Sequence, residues 1–471
     1  MLREAVLAGP GVVVTAQMTA GPLAVLARPA GVRAALAAGG CVDRRRTVLT
    51  DAVTTVLVVG LCLFSGEGYP SVLARLWPLL GAFNPAIVLG GPVSAVALSQ
   101  ARARLPAGVL RALVEAGARI GWAVETTGLR MFGLVVTAVD GTVFDLAATD
   151  AISERFATPS GGRFPQARVV TLVVCGTRRV LAAALDSCGV SEQALWDRLV
   201  TQLAQGTLNL ADRNFFSMDR WRTAAGTGAH LAWRGKNGVR SLPATVIETL
   251  PDGSHLLRLR ESDAMLARRR TTTGEKKAPR LGDVIARLVE FTVTVTDQAG
   301  NTRVSRFRVL TTLLDHQVYP AEAIAHCYAQ RWQVELAYKT IKSTVRGPGR
   351  RLRGQSPDLA EQEICGLLAV YNALVDQAVA AAADLGIDPG EISFTVVLRA
   401  ARDHLTSHAP CRACGHRSGS ADLLAAIAAG PRNRADRQRS SPRTTKERRT
   451  QHTRNVTYTI TITDSNLPRA A

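Results

Sequence analysis

Tyr328, Arg331, Glu335, Lys339 and Lys342 stand at offsets 0, 3, 7, 11 and 14 along the chain. At about 3.6 residues per turn, a helix would carry all five on one narrow stripe. One carboxylate would then be flanked by three cations and a phenol. Arg and Lys are rarely buried unpaired, so the stripe makes a poor core face. It suits a site where the acid holds a divalent metal and the cations hold a polyanion. A solvated face laced with pairs such as Glu335 and Lys339 would show the same spacing.

Two further acids could join Glu335. Asp140 follows the strand-like run Met131–Val139, and Asp212 follows the strand-like run Thr207–Ala211. Taken singly, Asp140-Gly141 reads as a turn and Asp212 as a helix N-cap. Together with an acid on a helix face they suggest more. Phosphodiester chemistry is served by two divalent ions that bind the attacking and leaving oxygens. Hard cations such as magnesium prefer carboxylate oxygens. The acids are separated by 72 and 123 residues, and the second gap has room for an inserted domain.

The elements that must position these groups divide the 471 residues into several parts. Residues 1–29 read as a loosely structured leader and 30–127 as a helical N-terminal domain. In that domain Ala95–Leu105 has Ser94 as an N-cap and presents Gln100, Arg102 and Arg104. It is a candidate recognition helix for a DNA groove, or an amphipathic helix with one wet face. From Gly128 the pattern turns to period two. Residues 128–234 read as strand, hairpin (Val169–Cys175 with Val180–Leu185), helix (Ser191–Gln205) and strand, the first part of a mixed sheet flanked by helices. Residues 235–313 read as a mostly β insertion. Residues 314–385 are the second part of the core. They carry Glu335 and a long helix starting at Ser356-Pro357-Asp358. Residues 386–430 read as helix and loop, and 431–471 as a basic, disordered tail.

Charge points to the ligand. Lys plus Arg number 57 against 38 Asp plus Glu, a net +19 with a pI near 10.5. Such an excess fits nucleic acid first and an anionic membrane surface second. It is clustered at Arg44–Arg46, Arg268–Arg270 with Lys276 and Lys277, Arg346–Arg353 and Arg432–Arg454. The apolar window Ala52–Phe64 is shorter than the roughly 20 residues of a bilayer span, so no membrane partner is expected. Eight scattered cysteines make no disulfide framework and suit a reducing cytoplasm. Cys411-Arg-Ala-Cys414-Gly-His416, after His404 and His408, lacks the second pair of a zinc finger. It reads as unliganded thiols rather than a zinc site. With no Gly-rich phosphate loop between a strand and a helix, no nucleotide cofactor is expected.

Three segments carry a family resemblance: Val139-Asp140-Gly141-Thr142, Leu210-Ala211-Asp212-Arg213-Asn214-Phe215, and the Y-x2-R-x3-E-x6-K spacing of Tyr328, Arg331, Glu335 and Lys342. They resemble the DDE transposases of bacterial insertion sequences, in the subgroup whose core is interrupted by a β domain. The segment Ser94–Leu105 is similar to that subgroup's helical N-terminal domain. The resemblance implies an α/β, ribonuclease-H-like (retroviral-integrase-like) mixed sheet with flanking helices. It implies a catalytic and metal-binding triad of Asp140, Asp212 and Glu335 with two Mg2+ or Mn2+ ions. Tyr328, Arg331 and Lys342 would grip DNA phosphates, helped by Lys339. The implied partners are the terminal inverted repeats and target DNA, held by a homodimer or larger assembly in the bacterial cytoplasm at the nucleoid. The implied reaction is end cleavage by water followed by attack of the freed 3′ hydroxyl on target DNA. The subgroup can stack a flipped base on an aromatic residue of the insertion. No Trp lies between 235 and 313, and Trp233 reads as core. The alternatives are a decayed or co-opted transposase that only binds DNA, and a plain nuclease of the same fold.

Overall fold

The computed structural model describes residues 29–41, 48–81, 83–84, 86–89, 93–119, 129–236, 242–296, 300–406, 420–433 and 457–469. The expected leader, the Arg44–Arg46 run and the Cys411-Cys414-His416 cluster lie outside the described residues. In chain order come α1 (Pro29–Ala38), α2 (Asp51–Leu63), α3 (Tyr69–Leu80), α4 (Ala95–Arg104) and α5 (Ala107–Arg119). Next are β1 (Leu134–Asp145), α6 (Asp150–Arg155), β2 (Gln166–Val174), β3 (Val180–Ser187), α7 (Glu192–Asp197), β4 (Thr207–Ala211), α8 (Met218–Gly226) and β5 (His230–Arg234). The insertion brings β6 (Ala244–Thr249), β7 (His255–Leu259), α9 (Asp263–Thr273), β8 (Val284–Thr296) and β9 (Thr302–Thr311). Last come α10 (Ala321–Ala329), α11 (Trp332–Thr340), α12 (Pro357–Leu385), α13 (Phe394–Thr406), α14 (Ser420–Ala428) and β10 (Thr457–Ile462). The chain forms two compact units.

The first unit holds residues up to Leu129, Gly141–Leu195 and Val334–Ala435. Its axis is α12. Ser356 caps it by accepting from Leu359 N, Pro357 opens it, and Gly386 ends it in the left-handed conformation at φ 65°. By length and composition α12 could cross a membrane, yet 83% of its most apolar stretch is buried in the fold. It is therefore a core helix. Its neighbours include α2, every residue of which is buried, and α5. At Gly366 a Cβ would stand 2.7 Å from Cys62 Sγ, so only glycine allows α2 this close. The Asn372 amide then accepts from Val180 N and donates to Val180 O, as a neighbouring strand would. In this unit β3 pairs antiparallel with β2, and β2 neighbours β1.

The second unit holds Arg130–Asp140, Trp196–Gln333 and Asp436–Ala471. Its strand order is β1-β4-β5-β9-β8-β7-β6. The β1-β4 and β4-β5 pairs are parallel and the remainder antiparallel. Strands in mixed orientation with flanking helices are the architecture that the sequence implies. Beneath the sheet, Trp196, Phe215, Trp221 and Trp233 pack edge to face. A buried polar chain crosses the three parallel strands: Trp233 Nε1 donates to Asn209, whose amide donates to Thr137 Oγ1. Trp233 is fully buried, in keeping with its reading as core.

Several sequence readings are corrected. Strand β1 does not end at Asp140-Gly141; Thr142, Val143 and Phe144 are good strand formers and carry it to Asp145. The helix expected over Ser191–Gln205 is one short α-helix followed by the 3-10 turn Val200–Gln202. The insertion contains α9 as well as strands. The tail expected to be disordered supplies β10, paired antiparallel to β8 from Thr457↔Thr296 to Ile462↔Phe291. Its end is fixed by a buried acid. Glu290 accepts from Arg306, Arg308 and the Ser465 hydroxyl, while Arg308 also donates to Asn466.

Candidate active site

Strand β4 reads Thr-Leu-Asn-Leu-Ala, and all five residues are buried. Asp212 is the first residue past it, where the chain reaches solvent. The β1-β4 register runs from Val135↔Thr207 to Ala138↔Leu210. Carried two residues further, it sets Asp140 beside Asp212 on one face of the sheet. The β4-β5 register ends at Ala211↔Trp233, and one residue further sets Asp212 beside Arg234. Two acids and a guanidinium thus lie side by side where β4 and β5 end level with the middle of β1.

Cations hold both acids. Arg331 Nη1 is 3.2 Å from Asp140 Oδ2, with the two side chains 18% and 22% exposed. Arg234 Nη1 is 3.9 Å from Asp212 Oδ1, and its guanidinium lies over the Phe307 ring at 4.4 Å. Arg213 N donates to Asp212 Oδ1 at 2.7 Å. Tyr328 stands behind this group rather than in it. Its ring is 3% exposed, and its hydroxyl donates to the Ala211 carbonyl at 3.2 Å. Burial drives the phenol well above its usual range, partly offset by Arg331. Tyr328 is thus buried against the strand end that bears Asp212, not exposed on a helix face. Arg234 was not singled out in the sequence. The parallel β4-β5 register is what would have revealed it.

The stripe itself is broken. Helix α10 ends at Ala329, Gln330 and Arg331 form a turn, and α11 begins at Trp332. After Thr340 the backbone takes a π-helical course over Ile341–Val345. Tyr328 and Arg331 belong to the second unit, and Glu335, Lys339 and Lys342 to the first. Glu335 is in the first turn of α11, and Lys339 is exposed in its last. Tyr338, one helical turn after Glu335, hydrogen-bonds Thr171 N and Oγ1 at 3.1 and 2.8 Å. That anchors the Glu335 helix to β2. Lys342 Nζ donates to the Val143 carbonyl at 2.6 Å and lies over the Phe144 ring. Burial, with Arg346 nearby, pushes its pKa down to about 8. A cavity of about 830 Å³ in the same unit is lined by Arg346, Arg350, Arg351 and Arg353, with Glu67 and Glu363 also in its wall.

Helix α4 keeps its Ser94 cap but not its expected face. Gln100 and Arg104 are exposed. Arg102 is 3% exposed and donates to Tyr69 Oη and the Leu359 carbonyl, with Glu363 3.5 Å away. It clamps α4 to α12 and is corrected from a groove contact to a core ion pair. Among the described residues no group of three or more His, Cys, Asp or Glu side chains stands close enough to hold a metal ion. Asp140 and Asp212 offer hard carboxylate oxygens, the donor type that divalent magnesium or manganese takes.

A family model described as the transposase DDE domain matches residues 131–373. The chain belongs to the DDE transposase family. A second model, the insertion element 4 transposase N-terminal domain, matches residues 17–115. The chain is 28% identical over 369 residues to the transposase InsG for insertion sequence element IS4 of Escherichia coli strain K12, covering 76% of this chain and 77% of the relative. It is 42% identical over 64 residues to the putative transposase InsL for IS186A of the same strain, 13% of this chain and 17% of that one. Among solved structures it is similar to a piggyBac transposase synaptic complex with hairpin DNA. There the TM-score is 0.41 and the identity 9%, over 82% of this chain and 80% of that one. As a DDE transposase the protein is an enzyme of DNA cleavage and transfer, and its family generally uses divalent metal ions.

Proposed function

We propose that this DDE transposase uses Asp140, Asp212 and Glu335 to hold two Mg2+ or Mn2+ ions at the ends of an insertion sequence. The observation that carries the reading is the parallel register that sets Asp140, within β1, beside Asp212 at the end of the adjacent β4. Glu335 enters from the Y-x2-R-x3-E-x6-K spacing and from family membership. When bound, the ions would activate the nucleophile and neutralise charge on the scissile phosphate. The chain's own residues do the rest. Arg331 and Arg234 hold the two aspartates in place before any ion arrives, and Tyr328 fixes the backbone before Asp212. Lys339, Lys342 and the arginine-lined cavity hold phosphodiesters. In the first step a P–O bond forms to water and the bond to the 3′ oxygen breaks. In the second, the freed 3′ hydroxyl bonds a target phosphorus and displaces that strand's own 3′ oxygen. Each element end needs one such site, so the active form is a dimer or larger on two DNA ends. The bacterial cytoplasm, where the nucleoid lies, is the compartment this substrate requires.

The test is a cleavage and strand-transfer assay on matched terminal repeats with magnesium. Asp140→Asn, Asp212→Asn and Glu335→Gln should each abolish both products while DNA still binds. Full activity in any one of them overturns the triad.

A further inference from the structure

Helix α9 is an anomaly for a soluble domain, because none of its residues is buried. A short helix with no packed face is marginal in water. Its stability comes from its ends and its base. Ser262 caps the start by accepting from Met265 N, and Gly274 closes the end in the left-handed conformation. Arg269 makes a two-pronged contact with Glu261, which is 2% exposed. Arg270 donates through Nε and Nη2 to the Ala278 carbonyl. Arg280 reaches back to Asp263 and to the Glu261 carbonyl.

These tethers sort the charges. Residues 258–283 contain eight cations and four acids. Glu261, Asp263 and Asp283 are spent on Arg269, Arg280, Arg258 and Arg260, and the fourth acid, Glu275, also acts on Arg269. Arg268, Lys276 and Lys277 remain exposed, with no partner among the described residues. The apolar Met265 and Leu266 are only half-buried, so no continuous apolar face competes for a protein partner.

We infer that α9 with its following turn is a rigid cationic arm through which the β insertion grips the sugar-phosphate backbone of duplex DNA, without reading sequence. This rests on the transposase reading and adds a contact surface outside the acids. The arm spans about 16 Å as 11 residues of helix. Its free cations are point or fork donors suited to phosphate. The inward-tied Arg269 and Arg270 keep it stiff before DNA arrives.

The experiment compares the full-length chain with Arg268→Gln/Lys276→Gln/Lys277→Gln on terminal-repeat and scrambled duplexes across a salt series. Circular dichroism and thermal melting should be unchanged, since the three residues hold nothing in the fold. Affinity should fall by the same factor on both duplexes. The slope of log K against log salt should become shallower by about 2.7, three phosphate contacts at about 0.9 each. An unchanged slope overturns the arm. So does a loss confined to the terminal repeat, which would mean base readout. A fall in self-association without DNA, at unchanged slope, would make α9 a protein contact and also overturn it. The transposase triad fails separately, by activity surviving Asp140→Asn.

Discussion

Arg331 and Asp140 lie 191 residues apart in the chain, and their side chains meet at 3.2 Å. The pair joins the last residue before α11 to the middle of β1. A guanidinium at that carboxylate competes with any cation that binds there. Arg331→Met should therefore leave Mn2+ affinity equal or tighter, measured by calorimetry, while cleavage falls at least tenfold. Weaker Mn2+ binding in this variant would show that Arg331 supports the acid instead of opposing the ion.

Tyr328 tests positioning. Tyr328→Phe leaves the Ala211 carbonyl without its donor in a buried place. The cost should be about 1–2 kcal/mol in urea unfolding. DNA affinity should be unchanged, because the hydroxyl never reaches solvent. A selective loss of DNA binding would return Tyr328 to the contact surface.

Arg102 tests folding against recognition. Removing a buried partner of Glu363 and Tyr69 should destabilise Arg102→Met by about 3 kcal/mol. Arg104→Gln, on the exposed side of the same helix, should change stability little and weaken DNA binding modestly. The reverse ranking in melting and filter-binding experiments would refute the clamp.

Lys342 carries a pH signature. Burial lowers its folded pKa from 10.5 to about 8. Between those values the unfolded chain binds more protons, so stability rises with pH through the window. The urea midpoint of the wild type should climb from about pH 8 to about pH 10 more steeply than that of Lys342→Met. A DNA phosphate at Nζ would favour the charged form, so binding near pH 9 should take up a proton. Calorimetry in buffers of different ionisation heat reads that uptake, and Lys342→Met should lack it.

The C-terminal strand gives a fifth prediction. Deleting residues 457–471 removes β10 and the Ser465 and Asn466 partners of Glu290 and Arg308. It also bares the edge of β8, an invitation to pair with other chains. The shortened protein should melt lower and aggregate. A monodisperse product of unchanged melting temperature would contradict this.

What the sequence told depended on how local the signal was. The Ser94 and Ser356 caps, the β2-β3 hairpin and the end of β4 at Asp212 were all readable, because caps, turns and period two act over a few residues. Asp140-Gly141 misled for the same reason: a local turn signal lost to the strand formers Thr142, Val143 and Phe144 that carry β1 on to Asp145. The five-residue stripe assumed one straight helix, and no residue type between Ala329 and Trp332 marks the break. Arg102 looked like a surface cation because its partners, Tyr69 and Glu363, are remote in sequence. Arg234 went unnoticed because its importance comes from register alone. The alternation Thr457-Tyr-Thr-Ile-Thr-Ile462 was a strand signal hidden beside an Arg-rich run.

The pairing of β10 with β8 has a consequence for how the enzyme is made. Glu290 leaves the ribosome 175 residues before the Ser465 that helps neutralise it. During that interval the nascent insertion must wait with a charged group and a raw sheet margin uncovered. Synthesis that stops short yields a chain whose acidic pair can already sit side by side, yet whose largest sheet stays unsealed and open to proteases and chaperones.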